Sequence, residues 1–166
     1  MPKRVAIAFT GPSGSGKTTL IEKIAKVLIA NHQKVAIVKH DPKDKAQFDT
    51  QGKDSYKFSA TGAEVVVVSP KKTTYLSQQE KSLTQIVNMI NAFDILLVEG
   101  LKTLPLPRIA IFRNTIEESY LDCSEAIAID GSVDIATYSI PSNIAILDLN
   151  NTQQIIEWIN IHAQEI

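Results

Sequence analysis

The stretch Gly11-Pro12-Ser13-Gly14-Ser15-Gly16-Lys17-Thr18-Thr19 gathers the residue types that grip a polyanion. Gly11 to Thr18 fit G-x-x-x-x-G-K-[ST], in which glycines carry the backbone through positive φ so that successive N–H groups converge on one anion. An apolar run, Val5 to Phe9, precedes the glycines and a helical pattern from about Gly16 to Asn31 follows them. This strand–loop–helix setting is the one the pattern requires. The helix amino terminus adds unpaired N–H groups and the positive end of its dipole. Lys17 is therefore expected to reach the β- and γ-phosphates of a nucleoside triphosphate, and the Thr18 hydroxyl to complete the octahedral shell of Mg2+.

Phosphate binding does not identify a reaction, so the discriminating groups lie elsewhere. In an open parallel sheet the ligand sits beyond the carboxyl ends of the strands. The run Ile95 to Val98 ends in Glu99-Gly100, the arrangement in which a carboxylate holds magnesium, directly or through water, or orients a water beside the γ-phosphate. Asp94, at the other end of that run, reads as structural. The run Val35 to Val38 ends in Lys39-His40-Asp41, which brings Lys39 toward the phosphates and leaves His40 as a loop histidine. Asp49 is a candidate second magnesium contact. Lys53 and Asp54 fall in Gly52-Lys53-Asp54-Ser55, which reads either as part of the site or as the start of a short helix carrying Tyr56 and Phe58.

These residues need a frame. The chain has 166 residues, which suits one domain spanning 1–166. Short β-branched runs recur at Val5 to Phe9, Val35 to Val38, Val65 to Val68, Ile95 to Val98, Ile109 to Phe112, Ile127 to Ile129 and Ile144 to Leu147. Several are apolar on both faces, as strands are when helices cover a parallel sheet from both sides. The pattern predicts a doubly wound, mostly parallel α/β fold of the P-loop NTPase type. The first helix would bury Leu20, Ile24, Val27 and Leu28. A second opens on the apparent capping box Ser77 to Glu80 and presents Leu83, Ile86, Val87 and Ile90 to the sheet. A third starts near Asn151 and buries Ile155, Ile159 and Ala163. Two stretches break the alternation: the polar Lys39 to Asp54, and Gly100 to Pro107, whose two prolines exclude a helix.

Composition narrows the class. With 17 basic and 18 acidic side chains, the net charge of −1 argues against a nucleic-acid or membrane surface as partner. The single cysteine, Cys123, forms no internal disulfide, and no Cys/His cluster offers a zinc site. No apolar run approaches membrane-spanning length. A cytoplasmic protein is expected.

Several segments then coincide in order: GPSGSGKTTL, VKHD, FDTQGKDSYKFSATGA, FDILLVEGLK, LPRIAIFR and IPSNIAILDLNN. Together they resemble the MobB family of molybdopterin-guanine dinucleotide biosynthesis adaptors over nearly the whole chain. After Lys39-His40 the sequence departs from the further histidines of many relatives and continues Asp41-Pro42-Lys43. The resemblance implies a homodimeric GTP-binding protein with weak GTPase activity that works with the guanylyltransferase MobA, with molybdopterin or its guanine dinucleotide as a further ligand. It implies a phosphate site of Gly11, Ser13, Gly14, Ser15, Gly16, Lys17, Thr18 and Thr19. Thr18, Asp49 and Glu99 form the magnesium region, Lys17 and Glu99 stand nearest the chemistry, and Lys53-Asp54 is a nucleotide or switch element. No Asn-Lys-x-Asp tetrad is present to read guanine; Asp130, ending the run Ala126 to Ile129, either reads the base or opens the turn at Gly131. The rival from another class is a small-molecule kinase or ligase, with Glu99 or Asp49 as base toward a bound acceptor.

Overall fold

The computed structural model describes residues 3–90 and 92–166. In chain order its regular elements are β1 (Val5–Thr10), α1 (Lys17–Ala30), β2 (Val35–Lys39), α2 (Asp54–Ser59), β3 (Val65–Val68), β4 (Thr73–Leu76) and α3 (Leu83–Met89). There follow β5 (Ile95–Glu99), β6 (Arg108–Phe112), β7 (Ala126–Ile129), β8 (Ala145–Asp148), α4 (Thr152–His162) and β9 (Gln164–Glu165). Contacts divide the chain into two units, one made of the residues up to His40 together with Ala92–Ile166, the other beginning at Asp41 between them.

The first unit is built on a sheet of order β2-β5-β1-β6-β7-β8, all parallel. Residues Ala6 to Phe9 of β1 are fully buried on both faces, which is why the run reads as continuously apolar rather than alternating. On one face, Leu20, Ile21, Ile24, Ala25 and Leu28 of α1 join Ile155, Ile156, Trp158 and Ile159 of α4 over Ile7, Phe9, Leu97, Ile109 and Ile111. On the other, Ala110, Phe112 and Ile127 pack with Ile116, Leu121 and Ile144. The strand register is staggered: β6 begins opposite Ala8, so β9 takes the vacant edge beside Val5 and Ala6, antiparallel.

Of the two side-chain caps read from the sequence, one stands where expected. Asn151 accepts from the Gln154 N–H, as its position before α4 predicts, and Ala163 lies just beyond that helix. α1 has no side-chain cap at Gly16 and no acidic residue in its first turn, so its amino-terminal N–H groups are left to a ligand or solvent. The box expected at Ser77 to Glu80 is displaced. Ser77 Oγ donates to Glu64 at 3.3 Å, and the capping box instead joins Ser82 and Gln85 at the head of α3. Leu83, Ile86, Val87 and Ile90 are half-buried there.

The second unit corrects another expectation. Val65 to Val68 does not enter the parallel sheet but pairs antiparallel with β4, Val65 opposite Leu76 and Val68 opposite Thr73. Three of its four valines are exposed. An apolar run fits a buried parallel strand and this hairpin equally well, since both are β-branched and short.

Ile24 of α1 is fully buried while Ile29, on the opposite face, is exposed. Ile24→Ala is expected to lower unfolding free energy by about 2–5 kcal/mol and Ile29→Ala by less than about 0.5 kcal/mol, read from urea titrations. Equal losses would contradict the packing described.

Candidate functional site

The loop between β1 and α1 needs its glycines. Gly11, Gly14 and Gly16 have φ of 136°, 78° and 99°, and a Cβ on Gly11 would collide with the Ile111 carbonyl oxygen. Gly14 faces open space, so there the dihedral alone favours glycine. Ser13, Gly14, Thr18 and Thr19 are exposed at the mouth of the loop, whereas Ser15 is buried. Ser15 Oγ has no hydrogen-bond partner there. A buried hydroxyl without a partner is costly, and an anion in the loop would satisfy it.

Lys17 lies folded along the loop. Its Nζ donates to the carbonyl oxygens of Gly11 and Pro12 at 2.8 and 2.6 Å. Burial pushes its pKa below the ordinary lysine value; Glu99 opposes this, and the cations Lys39 and Lys102 add to it. The ammonium is thus a partly desolvated charge held by neutral carbonyls, and a phosphate oxygen would be a stronger partner.

Glu99 ends β5, which lies directly beside β1, with Glu99 paired opposite Phe9. Its carboxylate is mostly buried and stands 3.9 Å from Lys39 Nζ. The neighbouring backbone is tied down, since Gly100 N–H donates to Phe9 and His40 N–H donates to the Glu99 carbonyl. Thr18, at the head of α1, and Glu99 belong to the same unit; a hydroxyl and a carboxylate at these strand and helix ends suit a hard, oxygen-preferring cation.

Beyond Glu99 the chain makes a left-handed turn, with φ of 87° at Gly100 and 50° at Leu101. Arg108, fully buried at the head of β6, holds it: Nη1 donates to Gly100 O, and Nη2 to Leu101 O and Leu104 O. Burial lowers the guanidinium pKa, with Cys123 and Glu125 acting against it. Sequence reasoning missed this residue, because nothing local marks an arginine as a brace for a loop preceding it.

Arg113 was missed as well. Its Nε lies 3.4 Å from Asp130 Oδ2, and its guanidinium packs against Gly16 at the start of α1. Asp130 Oδ1 accepts from the backbone N–H and the hydroxyl of Ser132. Those bonds, the hydroxyl first, lower the Asp130 pKa, with a further contribution from Arg113.

The remaining sequence candidates belong to the second unit. Asp49 Oδ1 accepts from Thr50 N–H at 2.8 Å and Ser55 Oγ at 2.9 Å, while Oδ2 is buried without a partner. Lys53 precedes α2 and Asp54 opens it, 3.7 Å from Lys57 Nζ. An acid in the first turn of a helix is favourable whatever else it does.

The fold and loop define a protein of the P-loop NTPase type. Its family is given by comparison: residues 6–130 match the model of MobB, molybdopterin guanine dinucleotide synthesis protein B, and the chain belongs to that family. The chain is 32% identical to a molybdopterin-guanine dinucleotide biosynthesis adapter protein of Haemophilus influenzae, covering 92% of this chain and 86% of that one. It is 29% identical to the adapter of that name from Escherichia coli, covering 92% of each. Among solved structures it resembles Bacillus subtilis MobB in fold, with a TM-score of 0.75 at 22% identity, covering 96% of this chain and 98% of that one. A crystal structure of molybdopterin-guanine biosynthesis protein B aligns with a TM-score of 0.73 at 24% identity, covering 95% and 99%.

Arg108→Met is expected to remove the side-chain donor from three loop carbonyls, of which Leu101 O and Leu104 O keep a backbone N–H, and to cost about 2–4 kcal/mol of stability. Urea unfolding of the purified variant checks this. A midpoint equal to that of the unsubstituted protein would show that the guanidinium does not brace the turn.

Proposed function

We propose that this protein binds GTP with Mg2+ at Gly11 to Thr19 and acts as an adaptor in molybdopterin guanine dinucleotide synthesis. The observation that carries the reading is the state of Lys17: a partly buried ammonium on two neutral carbonyls, at the uncapped head of α1, in a loop whose Ser15 hydroxyl has no partner. Each of these is satisfied by a polyphosphate. Backbone N–H groups of the loop, with Ser13, Ser15 and Thr19, cradle the phosphates; Lys17 moves from the Gly11 and Pro12 carbonyls onto the β- and γ-phosphate oxygens. Thr18 and Glu99 would hold Mg2+, which would supply charge neutralisation to the bound polyphosphate. Lys39, beside Glu99, adds a further cation on the γ-phosphate side.

The adaptor reading draws support from membership of the MobB family and from relatives named as adapters in molybdopterin-guanine dinucleotide biosynthesis. The partner is the guanylyltransferase MobA, and molybdopterin or its guanine dinucleotide is a further ligand. A homodimer draws support from the hairpin strand β3, whose exposed Val66, Val67 and Val68 offer an apolar edge for pairing. Hydrolysis is slow: Arg113 lies at Gly16, beyond β1 from Glu99, and Arg108, though close to Glu99, is fully buried with its guanidinium on the Gly100, Leu101 and Leu104 carbonyls, so neither serves as an arginine of the kind worth roughly 10³ to 10⁵ in rate. The setting is cytoplasmic, where the nucleotide is found; among the described residues no helix is long and apolar enough to cross a membrane.

Lys17→Ala is expected to weaken GTP binding from roughly tenfold to over a hundredfold, the worth of a charge-assisted hydrogen bond. Calorimetric titration with a non-hydrolysable GTP analogue and Mg2+ measures it, and unaltered affinity would remove the phosphate-binding reading. The depressed Lys17 pKa gives a second expectation. Binding the anion raises that pKa, so at alkaline pH, between the free and bound values, complex formation takes up protons and affinity falls as pH rises. Titrations in buffers of different ionisation enthalpy count the protons; release instead of uptake would contradict the role given to Lys17.

A further inference from the structure

We propose that Arg113 reads the base: held against Gly16 and anchored by Asp130, its guanidinium donates to the O6 and N7 acceptors of a purine and so selects guanine. This rests on the nucleotide-binding reading above. In the sheet, β5 lies on one side of β1 and β6 on the other. Glu99, ending β5, marks the metal and γ-phosphate side of the loop. A nucleotide stretched across the head of α1 must therefore send its nucleoside half toward the ends of β6 and β7, where Arg113 and Asp130 stand.

The orientation of the side chain supports this use. Nε, Cζ and Nη2 of Arg113 lie 3.5, 3.6 and 3.6 Å from the point a Cβ on Gly16 would occupy. Nearly equal distances mean that the plane of the guanidinium faces the glycine, and that a side chain at residue 16 would press on it. Asp130 holds the Nε edge through Oδ2. The two Nη groups have no protein acceptor among the described residues, and the side chain is 46% exposed. A planar fork with free donors at the rim of a phosphate loop matches the paired acceptors of guanine; adenine presents an amino group in place of O6.

Asp130 is the less suitable reader. To accept from N1–H and the 2-amino group of guanine, a carboxylate must offer both oxygens. Here Oδ1 already accepts two hydrogen bonds from Ser132, and Oδ2 faces Arg113. Asp130 is the positioning residue for the arginine. Asn114 N–H, bonded to Ser132 Oγ at 2.8 Å, ties the chain just after Arg113 to the same group.

The test is competition binding to the purified protein with Mg2+, using GTP, inosine triphosphate, 7-deazaguanosine triphosphate, ATP and inorganic tripolyphosphate. Inosine keeps O6 and N7 but lacks the 2-amino group; the deaza analogue lacks N7. The expected result is inosine triphosphate within about threefold of GTP, and the deaza analogue and ATP weaker by roughly ten- to a hundredfold. Arg113→Ala should bring GTP down to the level of ATP while leaving tripolyphosphate unchanged, and Asp130→Asn should shift the guanine preference in the same direction. A merely structural strut would weaken tripolyphosphate as much as GTP, and that outcome overturns the assignment. So does a tenfold or greater loss with inosine triphosphate accompanied by an intact guanine preference in Arg113→Ala, which would put the reader on the 2-amino edge. If the unsubstituted protein binds neither GTP nor tripolyphosphate, the phosphate-loop reading falls and this one with it; if it binds tripolyphosphate, GTP and ATP alike, only the reading of Arg113 falls.

Discussion

The glycine loop after β1 depends on that strand being held along both edges. The residues of β1 pair with β5 over Val5 to Phe9 and with β6 over Ala8 to Thr10, and Ala6 to Phe9 are fully buried. A strand so fixed cannot shift, so the turn that follows at Gly11 begins from a fixed point. The same strand brings Glu99 alongside Phe9, and the Ile111 backbone of β6 crowds Gly11 so closely that no side chain fits there. The geometry of the loop is thus set from three sides: by the strand before it, the helix after it and a neighbouring strand pressed against its first glycine.

Much of this was legible because the relevant signals are local. Gly11, Gly16, Lys17 and Thr18 declare themselves by spacing, and the apolar run before them and the helical pattern after them are contiguous in sequence. The sheet around Ile95, Ile109, Ile127 and Leu147 was legible for a similar reason, since strands buried on both faces lack alternation. Signals that depend on a distant partner were lost. Val65 to Val68 carries the composition of a core strand, and only its pairing with Thr73 to Leu76 reveals a hairpin. Ser77-x-x-Glu80 and Ser82-x-x-Gln85 are equivalent as capping patterns. At the first, Ser77 Oγ donates to Glu64 and accepts from the N–H of Gln79 in a turn, and the helix starts only where Ser82 Oγ accepts from the N–H of Gln85.

The two arginines that bracket Ile109 to Phe112 show the limit most sharply. Arg108 enters the strand and Arg113 leaves it, and the sequence offers the same residue type at both ends. One is fully buried beneath backbone carbonyls; the other is half exposed beside a carboxylate. Which arginine braces and which is free to meet a ligand is decided by burial, a property of the fold. Asp130 is similar: its place at a strand end could be read from the sequence, whereas its saturation by Ser132 could not.

The pairing of β1 also bears on how the chain assembles. Its hydrogen-bonding partners are far downstream: Val5 lies opposite Ile95, and Thr10 opposite Ala110. Contacts separated by so much chain carry a large loop-closure entropy and form late. As the polypeptide emerges from a ribosome, the glycine loop is made well before β5 and β6 and has no rigid strand behind it until they have followed. Nascent chains shorter than about Phe112 therefore carry the glycine-loop motif without its shape.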